Sequence, residues 1–218
     1  MAGFRKLACL VAGIGIAAVA AMTLVAGAQA ADGEFDGGSF TCLSYTNGLG
    51  DSSAGKMQSN LAHLWVFGYL AGYYRGQGKL EMSDDPADTK AVDDLLAQKC
   101  REVPQASILA VSQQSIAVEA RKLPKVVTRE FSPATYTCGQ HLDAMAGAAA
   151  AVNGADLAEL WAFAFIQGFK NVGLPDMAIN PENRGPLVGA MNKVCANNRD
   201  KLYLDYAALV AEKVKIAQ

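Results

Sequence analysis

Trp65-Val-Phe-Gly-Tyr-Leu-Ala-Gly-Tyr73 and Trp161-Ala-Phe-Ala-Phe-Ile-Gln-Gly-Phe169 are one pattern written twice. Every position agrees in character except Val66 against Ala162 and Ala71 against Gln167. Each tryptophan stands 23 residues after a cysteine, Cys42 or Cys138. A second cysteine closes each copy, Cys100 at 58 residues and Cys195 at 57. One deleted residue accounts for the difference and also aligns Gly78 with Gly173. The chain is an internal duplication, and each copy must be one supersecondary unit.

Working outward, both copies read as helical. Leu61, Leu64, Trp65, Gly68 and Gly72 fall at helical spacing, as do Leu157, Leu160, Trp161, Ala164 and Gly168. Asp156 with Glu159 reads as a capping box at a helix start. Helices are expected after Pro86 and Pro186, with Val92, Leu95, Leu96 and Cys100 on one face and Leu187, Ala190, Met191 and Cys195 on the other copy's. A third helix carries Ile108, Leu109, Ser112 and Ile116, matched by Leu202, Tyr206, Leu209 and Val210. No stretch alternates long enough for a strand. The expected class is all-α: two tandem small helical bundles, repeat 1 over 40–118 and repeat 2 over 136–218. A linker over 119–135 holds Pro124 and Pro133, and 31–39 is expected to be a flexible tail.

The N-terminus has its own logic. No charge occurs from Leu7 to Gly27; Arg5 and Lys6 precede this run and Ala28-Gln29-Ala30 follows it. That order of basic, apolar and small residues reads as an export signal, residues 1–30, cleaved after Ala30. A retained membrane anchor is the alternative, and the position of the Ala-x-Ala site favours cleavage. Cleavage removes two cations and no carboxylate, taking the net charge from −2 to −4. Such a chain lacks the basic surface that nucleic acid demands, and export places it away from cytosolic ATP and nicotinamides.

Cleavage also removes Cys9 and leaves Cys42, Cys100, Cys138 and Cys195. An even number in an exported chain reads as disulfides, and four cysteines allow three pairings. The duplication selects Cys42–Cys100 and Cys138–Cys195, one ring per copy. Bundles under 80 residues build thin cores, and a ring of this size stabilises by about 4 kcal/mol. Zinc ligands usually come in close sequence pairs, so no metal site is expected.

The remaining constellations carry little chemistry. Gly50-Asp-Ser-Ser-Ala-Gly-Lys56 approaches a phosphate loop, but Met57 stands where a hydroxyl should hold magnesium. His63 aligns with Glu159, while His141 lies three residues after Cys138; both read as partly exposed. The acidic run Asp84, Asp85, Asp88, Asp93, Asp94 lacks the spacing of a calcium loop and reads as helix capping and a solvated face. No catalytic constellation and no cofactor site emerge, so a non-enzyme is expected. The aromatic helices are the exception: Trp65, Phe67, Tyr69, Trp161, Phe163 and Phe165 spread over more than one face. They suit either the bundle's own core or a surface shared with the other copy or a client. Gly68 and Gly72 suggest close helix approach.

This unit resembles the HdeA/HdeB family of periplasmic acid-stress chaperones. Copy one carries the resemblance best, in Cys42, Trp65-Val-Phe-Gly68-Tyr69-Leu-Ala-Gly72 and Cys100-Arg-Glu-Val-Pro104-Gln-Ala-Ser107. Copy two keeps Cys138, Trp161, Phe165, Gly168 and Cys195 but has Ala164 for the glycine and no proline near Cys195. The resemblance implies a four-helix, single-disulfide domain that dimerises near neutral pH. In acid it comes apart and holds unfolding clients without ATP. Its partners would be unfolded or acid-denatured periplasmic proteins, with the repeats packing on each other or homodimerising and no membrane engaged after cleavage. The tandem arrangement departs from the family, because a tether raises the effective concentration of the halves and opposes their separation. The alternative is a periplasmic module that binds one specific partner, as an immunity, inhibitor or assembly protein.

Overall fold

Thr41 and Thr137 open the two halves alike. Thr41 accepts from the Ser44 amide and starts α1 (Cys42–Gly48); Thr137 caps α5 (Cys138–Ala146) in a full capping box with Gln140. The computed structural model describes residues 35–50, 53–117, 120, 122–129, 131–147, 149–170 and 181–213; the export signal read over 1–30 lies outside them. Within them the chain is mostly helical. Half one continues with α2 (Ser53–Gly76), α3 (Pro86–Glu102) and the short α4 (Ile108–Val111), which runs into a π turn over Ser112–Ile116. Half two continues with α6 (Ala149–Lys170), α7 (Pro181–Ala196) and α8 (Tyr203–Lys213).

The halves repeat each other bond for bond. The Cys42 amide donates to the Ala106 carbonyl and Cys138 to Lys201; Ile108 donates to Phe40 and Tyr203 to Tyr136, each at 2.9 Å. Cys42–Cys100 ties α1 to α3, and Cys138–Cys195 ties α5 to α7. These are the pairings that the duplication selects, and all four cysteines are buried. One continuous apolar core draws on both halves, with α2 and α6 at its centre.

Several boundaries differ from expectation. Helix α6 begins at Ala149, which leaves Asp156 in mid-helix and not at a cap, because alanine has the highest helix propensity and the Ala149–Ala151 run carries the helix backwards. Helix α7 begins at Pro181 and encloses Pro186, giving up one backbone bond near its start. Pro86 opens α3 as expected, with Asp85 as its cap and Lys99 and Arg101 in its last turn.

The expected flexible tail is corrected for residues 35–39. Phe35 packs against Phe40 with tilted rings 4.8 Å apart, the Leu109 amide donates to the Gly37 carbonyl, and the indole of Trp65 lies so near Gly37 that a Cβ there would sit 2.6 Å from it. The expected linker is likewise packed where it is described. Phe131 and Leu123 are buried, and β2 (Leu123–Pro124) pairs in parallel with β1 (Met82–Ser83). Tyr74 reaches the Ala117 and Ala120 carbonyls, and Lys125 meets Asp84 at 2.6 Å. The reason is shared: Phe35–Phe40 and Phe131–Tyr136 are matching aromatic brackets, each closed by a turn on Asp36 or Ser132. The repeating unit therefore starts about five residues earlier than its cysteine pattern indicates.

Candidate functional site: the seam and two histidine sites

The seam between α2 and α6 is built from missing side chains. A Cβ on Gly72 would collide with the Phe165 carbonyl, and one on Gly168 with the Tyr69 carbonyl. These are equivalent contacts with the halves exchanged. Gly68 lies against Trp161 and Gly76 against Phe169, so contacts advance in the same direction and the two helices run parallel. Small residues at every fourth position let the backbones meet directly.

The six aromatic residues singled out from the sequence are all buried. They do not form one site. Trp65 stacks on Tyr69 at 5.5 Å, and Trp161 lies 5.1 Å from Phe165; Tyr69 and Phe165 are the residues whose carbonyls receive the opposite glycines. Trp65 is roofed by the turn at Gly37, and Trp161 by Phe131 at 5.6 Å. Phe67 meets the His63 ring edge to face at 6.4 Å, and Phe163 is buried as well. Four of the six thus share the seam's two stacks.

The sequence reading missed a second feature. Tyr45 and His63 in half one occupy the positions of His141 and Glu159 in half two. The Tyr45 hydroxyl meets His63 Nε2 at 2.5 Å, and His63 Nδ1 faces Asp93 Oδ1 of α3 at 3.6 Å. In half two, His141 Nε2–H donates to Asn192 Oδ1 of α7 at 3.0 Å and lies 3.9 Å from Glu159 Oε1. Both histidines are disfavoured as cations by burial, which lowers their pKa; Asp93 opposes this at His63, and the Asn192 hydrogen bond opposes it at His141. Burial raises Asp93, with His63 pulling it back. Burial and then Glu159 push Tyr136 up to about 12, and burial holds Tyr203 well above the ordinary phenol range.

His141 is therefore corrected: its side chain has 0% exposure, where a partly exposed residue was expected, while His63 retains 25%. His141 lies three residues after Cys138, and both are buried on the inner face of α5.

The acidic run is dispersed into separate tasks. Asp85 caps α3, Asp84 pairs with Lys125 and Asp94 with Lys90. An open groove beside Asp93, walled by Pro86, Pro124 and Val126, has its charged residues Asp84 and Lys90 already in those pairs. Among the described residues no group of three or more His, Cys, Asp or Glu is placed to hold a metal, and no helix is long and apolar enough to cross a membrane. No family model, no curated protein and no solved structure matches the chain.

Proposed function

We propose that this protein is an exported, non-enzymatic, ATP-independent holdase of the periplasm, formed by two tandem HdeA-like domains. Its aromatic surface is released in acid to hold unfolding proteins. The seam carries this reading. Along it lie the helix faces that bear Trp65, Tyr69, Trp161 and Phe165, all buried, and it joins halves that each keep their own disulfide. Separation of α2 from α6 would uncover large apolar area while each half stays stapled. The charge supports the same direction. When the carboxylates take up protons at pH about 2–3, the remaining Lys, Arg and His leave the chain strongly positive, and self-repulsion favours opening.

A helix pair packed backbone to backbone offers no aromatic surface while closed, so client binding through these residues requires opening. The bracket at Phe131 and the β1–β2 pairing tether the halves, and they set the acidity needed. The test is light scattering from an unrelated acid-labile protein taken to pH about 2–3 and neutralised, with and without this chain. Aggregation suppressed in acid and unaffected at pH 7 is the expected result. No suppression at several-fold excess of the disulfide-bonded protein sinks the proposal.

A further inference from the structure

We infer that His141 is the acid-labile joint of the molecule, so that half two loosens before half one as pH falls. The geometry is that of a proton with nowhere good to go. Nε2–H is spent on Asn192, and Nδ1 is buried with no hydrogen-bond partner among the described residues. A proton arriving in acid must take Nδ1, creating a wholly buried cation whose new N–H has no acceptor there.

The groups around it give little compensation. From α6 comes the carboxylate of Glu159, 3.9 Å away on the Nε2 side; from α7 the neutral Asn192. The start of α8 supplies the Tyr203 ring at 4.6 Å, and the aromatic bracket supplies Tyr136 at 6.4 Å. On α5 itself, Asp143 is engaged at the surface by Arg199. Among the described residues Glu159 is the one carboxylate placed against the ring, and it faces Nε2, not the Nδ1 that would take the proton.

Half one has the opposite design at the same place. His63 keeps 25% exposure and turns its Nδ1 toward Asp93, itself 34% exposed, with Lys90 and Asp94 beside that carboxylate and Arg101 near Tyr45. A proton on His63 makes a partly hydrated ion pair. The same event in half two makes a buried charge that separates α5 from α6 and α7.

The sign follows from linkage. A histidine whose folded pKa lies below the unfolded value of about 6.5 leaves the native state short of a proton that the open state binds. Stability is lost as pH falls from about 6.5 through the folded pKa. At Asp93 the raised folded pKa works in reverse and restores stability as pH falls through it. Half one therefore carries a partial offset.

This inference rests on the holdase reading only for what the opening serves; the loosening itself is measured without a client. The experiment is amide hydrogen exchange, read by mass spectrometry as protection corrected for intrinsic rates, on the disulfide-bonded protein at pH 7 and about 5. Protection in α5 and α7 should fall on the order of tenfold for each unit by which the folded pKa lies below the unfolded one within that pH range. Protection in α1 and α3 should change much less, and His141→Gln should abolish the difference. Equal loss in both halves, or loss that persists in His141→Gln, overturns the inference. Should that variant fail to fold, NMR titration of the His141 ring in the native protein decides: a pKa below 6.5 supports the inference, and one at or above it refutes it. A differential opening without suppressed aggregation would sink the holdase and leave the joint standing.

Discussion

Tyr45–His63–Asp93 and His141–Glu159–Asn192 occupy the same place in two copies of one unit, yet they differ in partners and in exposure. In half one the histidine is on the second helix, with a phenol on one nitrogen and a partly exposed carboxylate facing the other. In half two it is on the first helix and has no exposure. The backbone around both is the same, down to matching cysteine and aromatic-bracket hydrogen bonds. A duplicated fold thus holds its shape with one set of contacts and differentiates its halves with another, because a buried titratable group weighs more than any exposed charge.

The comparison breaks most severely at the cysteines. Replacing Cys42 and Cys100 by serine, or Cys138 and Cys195, should cost about 4 kcal/mol in either half, since the rings are nearly equal in length. Urea denaturation measures it, and a cost confined to one half would refute the equivalence of the two rings. Next come the roofs over the tryptophans. Phe131→Ala should cost about 3 kcal/mol. Phe35→Ala should cost less, because Phe35 is less deeply buried and a glycine turn also covers Trp65.

The seam is where the halves should be most alike. Gly72→Ala and Gly168→Ala each push a methyl group into an opposing carbonyl, and each should cost about 2–3 kcal/mol. Gly185→Ala, inside α7 where nothing lies nearby, should instead stabilise by up to about 1 kcal/mol. Unequal effects at Gly72 and Gly168 in thermal melts would mean that the symmetry of the contacts is not one of energies.

A smaller effect sharpens the contrast between the histidine sites. The exchange His141→Tyr with Glu159→His carries the half-one pair into half two. Between pH 7 and 5 it should shrink the loss of urea midpoint relative to the native chain, in line with the roughly 1.4 kcal/mol that one unit of pKa difference represents. An unchanged pH slope would place the sensitivity elsewhere. The smallest effect is expected at the surface: Lys90→Ala removes the exposed pair with Asp94 and should change stability by under about 0.5 kcal/mol.

Much of this arrangement is legible in the sequence alone. The helical class, the start of α3 at Pro86 and the pairing of the cysteines follow from apolar spacing and from two sets of matching intervals. The brackets are not. Phe35–Phe40 and Phe131–Tyr136 repeat at the same offset as the tryptophans, but they lie among Gly, Asp, Ser and Pro, where composition suggests loop. Asp156 misled for a related reason: the capping pattern is present, and the alanines before it outcompeted it.

By itself, the sequence determined the duplication, the helices and the staples, because periodicity and matching intervals are properties of the chain taken along its length. Only the tertiary structure decided which aromatic residues meet at the seam, that the segment before Cys138 roofs Trp161, and that His141 is sealed while His63 is not. The reason is that an apolar helical stripe looks the same whether it buries against its own bundle or against its twin. The environment of a single polar atom depends on three or four elements arriving together, and no local pattern encodes that.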